Sequence, residues 1–279
     1  MRRSLILFIL LAFASVSKAQ YWFGPKIGTH VVSHRYQLSE YKSDSFQINP
    51  DLRWQIGFAL TYAASERYSV HTEINFERIG RTLRNNENDF PIVTSRLTSS
   101  FITVPLMLRF NFGAPPVHFY LNGGPKISFW LGGRGKIADL DEFEEFRSDD
   151  PQVEYRLAFS DRNRRPDDPD TDEIGIFQLQ NGNIVQYALT IGGGALFDLR
   201  RGQRLMLDIR FSYGHSNMGF NENVDFTFDT YEENFEYTHD MLSVSLGYMF
   251  EFDKNLNLRG RSTSNVPGKN TKKTRKKRN

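Results

Sequence analysis

The chain has 279 residues, of which 24% are charged and 39% hydrophobic, with a formal net charge of +2. A mean hydropathy of −0.50 excludes a bundle of membrane-spanning helices, and the near-zero net charge excludes a uniformly basic nucleic-acid binder. With no cysteine there can be no disulfide scaffold, thiolate zinc site, cysteine nucleophile or lipidated cysteine, while 24 Phe and 12 Tyr in so polar a chain favour strands.

The chain opens with Arg2 and Arg3, an apolar run from Leu5 to Val16, and then Ser17-Lys18-Ala19, with small residues at the −3 and −1 positions. This is the layout of a secretory signal peptide, residues 1–19, cleaved after Ala19. As a membrane anchor the run is too short, since a spanning helix needs about 20 apolar residues.

From residue 20 to 252 the dominant period is two, the period of a strand with unlike faces. Eight segments carry it, at about 21–32, 53–63, 68–78, 101–112, 117–131, 186–199, 204–214 and 240–252. In the third, Tyr68, Val70, Thr72, Ile74 and Phe76 oppose Ser69, His71, Glu73, Asn75 and Glu77. In the fourth, Ile102, Val104, Leu106, Leu108, Phe110 and Phe112 oppose Thr103, Pro105, Met107, Arg109 and Asn111. Short turns at 64–67, 113–116 and 200–203 alternate with polar stretches of roughly 20, 22, 54 and 25 residues. Segments of about ten residues with short turns on one side and long loops on the other predict an all-β fold: an eight-stranded antiparallel up-and-down transmembrane β-barrel. Both mature termini then lie on the short-turn, periplasmic side of an outer membrane.

A soluble barrel or sandwich would bury the apolar face instead. Against that, the polar face carries Lys26, His71, Glu73, Arg109, Lys126, Asp208 and Arg210, too many ionisable groups for a dry core. The apolar face also ends in two aromatic belts, as a membrane protein's does. Trp54, Phe76, Phe129, Tyr187 and Tyr213 lie toward the loops, and Phe23, Tyr62, Tyr68, Phe112, Phe119, Phe197 and Phe252 toward the turns. The polar face, turned inward, is expected to form a lumen charge network in which Lys26, Lys126, Arg109 and Arg210 pair with Glu73 and Asp208. An eight-strand interior is just wide enough for side chains to fill, so a packed lumen is the reading preferred over a conducting pore. Ser245, Gly247, Phe250 and Phe252 in the last segment fit a polar-x-Gly-x-x-aromatic-x-aromatic pattern, similar to the signal by which outer-membrane proteins engage the barrel-insertion machinery.

Several motifs give a resemblance: Phe23-Gly24-Pro25-Lys26-Ile27-Gly28, Ile102-Thr103-Val104-Pro105-Leu106-Met107-Leu108, Leu121-Asn122-Gly123-Gly124-Pro125, Asp208-Ile209-Arg210-Phe211-Ser212-Tyr213-Gly214 and the last segment. Together they resemble the PorT-like outer-membrane β-barrel family of Bacteroidetes over nearly the whole mature chain, apart from the third loop and the tail. The resemblance implies the barrel. Its namesake role in type IX secretion is not transferred by membership.

Charge is segregated along the chain. The third loop, about 132–185, holds 14 acidic and 7 basic residues, and the fourth, about 215–239, six acidic and no Lys or Arg. Residues 253–279 hold ten Lys and Arg, among them Lys272, Lys273, Arg275, Lys276, Lys277 and Arg278, against one Asp. This tail reads as a disordered basic periplasmic segment that could meet anionic envelope polymers or an acidic partner rather than nucleic acid. In the third loop Asp168, Asp170 and Asp172 alternate as hard-cation ligands do, but an EF-hand would need a glycine where Glu173 stands and a glutamate where Leu179 stands. The aromatic residues Phe143, Phe146, Tyr155, Phe159 and Phe177 suggest that part of this loop folds over the barrel mouth.

No cofactor fingerprint occurs, and the six histidines form no metal spacing. His215-Ser216 is the one histidine followed directly by a serine, on opposite faces if the strand reaches them, so no enzyme is expected. Three roles remain: a structural or assembly component of the envelope, with type IX secretion or gliding as one such setting; a narrow pore for small solutes; or a surface binding protein acting through its long loops.

Overall fold

The computed structural model describes residues 20–36, 46–87, 90–139, 152–159, 175–178, 182–199, 202–219, 227–228, 231–232 and 235–252. The signal segment 1–19, the aspartates at 168, 170 and 172, Phe143 and Phe146, and the basic tail lie outside them. The described strands are β1 (Gln20–Tyr36), β2 (Phe46–Pro50), β3 (Leu52–Ala63), β4 (Tyr68–Glu87), β5 (Phe90–Ala114), β6 (Val117–Asp139), β7 (Gln152–Ala158), β8 (Gly175–Gln178), β9 (Val185–Leu199), β10 (Gln203–Gly214), β11 (Thr227–Phe228), β12 (Tyr231–Glu232) and β13 (Tyr237–Phe252).

Eight of these close a ring in the order β1-β3-β4-β5-β6-β9-β10-β13, and β13 returns to β1 through pairs from Tyr21↔Phe252 to Tyr36↔Tyr237. All pairs around the ring are antiparallel. Each of the eight segments read from the sequence falls on one ring strand. Closure leaves no free edge, which a strand assembly in lipid requires. The predicted apolar faces point outward: Ile56, Ile74, Leu106, Leu108, Leu121, Leu189, Ile209 and Leu246 are all exposed on the barrel wall. No helix long and apolar enough to cross a membrane occurs among the described residues. Aromatic contacts mark both ends of the wall. Trp54 meets Phe76 at 5.8 Å toward the loops, and Phe112 meets Phe119 at 6.0 Å toward the turns.

One expectation needs correcting. The polar stretch between the third and fourth segments is largely strand, because β4 continues to Glu87, β5 begins at Phe90, and the two stay paired. β6 likewise continues to Asp139, into what read as the third loop. β2 pairs with the upper part of β4, β7 with the upper part of β6, and β8 lies parallel to β7. The result is a flange of strands standing beyond the apolar band.

In the flange the apolar side of each strand switches. Lipid surrounds the lower wall, so apolar side chains face out; water surrounds the flange, so they face in. The switch is written as adjacent apolar pairs, one member out and one in: Val31-Val32, Phe101-Ile102, Phe129-Trp130 and Met241-Leu242. These pairs lie opposite one another across the ladder, with Val31 against Leu242, Val32 against Met241, Phe101 against Trp130 and Ile102 against Phe129. Just above, the β5–β6 register shifts between Ser100 and Phe101, and the bulge takes Gly132 to φ 130°, a backbone that a side chain would strain.

Candidate functional site

The inward residues of the eight strands fill the lumen in three layers. At the loop end an apolar cluster includes Val32, Ile79, Leu83, Leu97, Phe101, Trp130, Tyr237 and Met241. One part of the third connection joins it, at residues 152–159. Tyr155 and Leu157 on β7 are buried there, and the Phe159 ring meets Trp130 edge-on at 4.7 Å, so this part of the loop extends the wall as a strand beside β6 and packs its side chains into the cluster. At the turn end a smaller cluster comprises Trp22, Ala59, Tyr120, Leu196, Met206 and Met249. Between them lies the ionic layer.

Glu73, on β4, is the hub of that layer. Its two carboxylate oxygens accept from Lys26 Nζ at 2.9 and 2.8 Å, and from Arg210 Nη2 and Nη1 at 2.7 and 2.8 Å. Asn75 Nδ2 donates to it at 2.9 Å, and His71 Nε2 stands 2.7 Å away with Thr61 Oγ1 2.6 Å from its other ring nitrogen. Asp208 is the second anion, 2.5 Å from Arg210 Nε and 3.5 Å from Lys26 Nζ, and it accepts from the Tyr120 hydroxyl at 2.6 Å. A low-dielectric site keeps such charges ionised only when each is paired and hydrogen-bonded, and here Lys26, Arg210, Glu73 and Asp208 form one closed set.

The structure thus brings together four of the six lumen residues singled out from sequence and arranges the other two differently. Lys126 pairs with Glu77 at 2.9 Å. Among the described residues Arg109 has no ion-pair partner. Its guanidinium lies over the Tyr120 ring at 4.0 Å, with Met206 Sδ 3.5 Å from Nη2. Glu77 was visible on the polar face but not as a partner, because pairing depends on which strands lie across the lumen. Tyr120 was missed altogether, although one signal was available. It lies opposite Gly194 in the β6–β9 register, and a Cβ on Gly194 would come within 2.6 Å of the tyrosine oxygen. Gly192 makes the same kind of room for Arg210, whose Cγ would lie 2.7 Å from an added Cβ.

In the predicted insertion signal, Ser245 and Gly247 face the lumen, while Phe250 and Phe252 are exposed on the outer wall near the Phe23 ring, at 6.1 and 6.4 Å. His215 and Ser216 lie just beyond β10, and Ser216 Oγ accepts from the Tyr187 N–H at 2.9 Å. Among the described residues no three His, Asp or Glu side chains converge as a metal site.

A family model described as outer membrane protein beta-barrel domain matches residues 13–219. No curated protein matches the chain. Among solved structures, OprG from Pseudomonas aeruginosa is 10% identical, with 84% of this chain and 96% of that one covered and a TM-score of 0.45. Ail, the attachment invasion locus protein of Yersinia pestis, is 10% identical, with 82% and 98% covered and a TM-score of 0.35. The outer membrane protease OmpT of Escherichia coli is also 10% identical, with 84% and 96% covered and a TM-score of 0.36. At these levels the likeness assigns no activity.

Proposed function

The chain belongs to the outer membrane protein beta-barrel domain family, and from that premise we propose that it is a non-enzymatic structural or assembly component of the cell envelope whose barrel is a closed anchor. The observation that carries the reading is the filled lumen: apolar clusters at both ends and, between them, buried ions tied to one another. A pore for small solutes needs a continuous polar path, and the cluster around Trp130 and Phe101 interrupts it. With the interior occupied, the surfaces left for partners are the flange on one side and the two termini on the other. In this reading both mature termini are periplasmic and the basic tail meets an acidic envelope component. Type IX secretion or gliding is one process that such an anchor could serve; the PorT-like motifs of β1, β5, β6 and β10 imply the barrel and do not by themselves carry that role.

The test has two arms. In planar bilayers the purified protein is expected to give no unitary conductance steps; steady, ion-selective steps would favour the pore. Pull-down of the tagged protein from native membranes, with and without residues 253–279, is expected to recover an envelope partner that depends on the tail. Recovery of none would remove the assembly reading. A second reading, surface binding through the loops, is favoured by the flange; there, deletion of the β4–β5 extension would abolish function while the barrel still assembled.

A further inference from the structure

We propose that the outward face of the flange over β4–β7 binds the phosphate groups of lipopolysaccharide, the phosphorylated glycolipid of the outer leaflet. The proposal rests on the reading that sets both termini in the periplasm, which stands the flange above that leaflet. Unpaired charge is the first ground. Arg78 on β4, Arg96 on β5, Arg134 on β6 and Arg156 on β7 lie on the outer face, next in sequence to the buried Ile79, Leu97, Gly135 and Tyr155. Among the described residues none of the four arginines has an ion-pair partner, and Lys136 and Glu154 beside them neutralise each other. Elsewhere on the flange Arg35 is compensated by Asp240 at 2.8 Å and Arg53 by Asp51 at 3.0 Å, so the surplus of positive charge lies over β4–β7.

The register is the second ground. Arg134 lies directly opposite Arg156, and Arg96 directly opposite Lys136. Like charges facing each other across a ladder destabilise a sheet. A polyanion laid over the four strands offsets that repulsion, because each guanidinium presents a fork of N–H groups that fits two phosphate oxygens.

Height narrows the ligand. Arg78 lies two residues beyond the outward Phe76, and Arg134 three beyond the exposed Leu131. At about 3.3 Å per residue and a tilt of about 35–45°, they stand about 5–8 Å above the apolar band, within the headgroup layer. Arg96 is two residues further out than Thr98, the register partner of Arg134, and so about 5 Å higher. Cations at two levels suit phosphates carried on a tall saccharide headgroup better than the single phosphate layer of a phospholipid. The acyl chains of such a lipid meet the wall directly below, at the exposed Ile102, Phe129 and Leu131.

The test uses the protein refolded in a neutral detergent and titrated with short-core lipopolysaccharide of defined phosphate content in mixed micelles, the bound lipid being counted by native mass spectrometry. Binding is expected to saturate, and to be about tenfold or more weaker for the enzymatically dephosphorylated lipid and for phosphatidylglycerol. Arg134→Gln combined with Arg156→Gln is expected to weaken it about tenfold or more, whereas Arg35→Gln, whose arginine is paired with Asp240, should change it by less than about twofold. If the double variant does not reach the heat-modifiable folded form, Arg96→Gln alone is expected to bind several-fold more weakly. Orientation is read separately: an epitope tag after Asn279 should be reached by antibody only in permeabilised cells. A tag reached in intact cells would sink the orientation and the proposal with it. A shielded tag together with equal affinity for the dephosphorylated lipid, equal affinity for phosphatidylglycerol, or unchanged affinity in the arginine variant that folds would overturn the proposal alone.

Discussion

Replacing Glu73 by glutamine tests whether the ionic layer holds the barrel together. The carboxylate takes two contacts from Lys26, two from Arg210, one from Asn75 and one with His71, all between 2.7 and 2.9 Å. Glutamine keeps one acceptor oxygen and turns an NH2 group toward the same donors, so two buried cations are left to share Asp208. Breaking a buried pair by removing one partner costs about 3–5 kcal/mol. Urea unfolding of the protein in lipid vesicles, followed by tryptophan fluorescence and by heat-modifiable gel mobility, measures the loss. A double-mutant cycle separates lost pairing from lost packing. Lys26→Met alone should also destabilise, but combined with Glu73→Gln it should cost less than the two losses together, with a coupling of about 0.5–3 kcal/mol. Because the groups are buried, the effect should persist in high salt. A Glu73→Gln loss within about 0.5 kcal/mol of zero, or strict additivity in the cycle, would refute the claim that these charges depend on one another.

Three further outcomes follow from the same geometry. Gly194→Ala should block folding or cost several kcal/mol, since its Cβ would overlap the Leu207 carbonyl oxygen and crowd Tyr120, whereas Gly123→Ala meets nothing nearer than 3.5 Å; parallel refolding yields compare them. Leu106→Arg, on the outward wall, should destabilise the barrel in vesicles by about 2–4 kcal/mol, where a water-facing wall would accept the charge; vesicle unfolding decides between the two. Phe252→Ala should slow insertion by purified barrel-insertion machinery while leaving spontaneous folding into detergent nearly unchanged, and equal rates in both systems would remove the insertion-signal reading.

The ring was legible in the sequence because lipid outside and polar groups inside give each strand two unlike faces. Ile74 beside Glu73, and Ile209 beside Asp208 and Arg210, are read directly from alternation. The flange was not legible for the same physical reason. Above the band the solvent changes, and the apolar side of β4 passes from Phe76 facing out to Ile79 and Leu83 facing in. A single alternating pattern scored along the chain loses its phase there and reads the continuation as loop. The paired residues Phe101-Ile102 and Phe129-Trp130 carry the missing information, since two adjacent large apolar side chains in a strand need apolar surroundings on both faces, and only the level where membrane and inner core overlap provides them.

The lumen shows where alternation stops being informative. It identifies Lys26, Glu73, Arg109, Lys126, Asp208 and Arg210 as inward-facing, yet it cannot pair them, because partners across a closed ring come from strands remote in sequence. Lys26 and Glu73 meet at 47 residues' separation, and Arg210 and Glu73 at 137. Pairing depends on height as well as face, and height follows from the register of the ring strands between the two partners. Lys126 takes Glu77, and Arg109 takes the face of Tyr120.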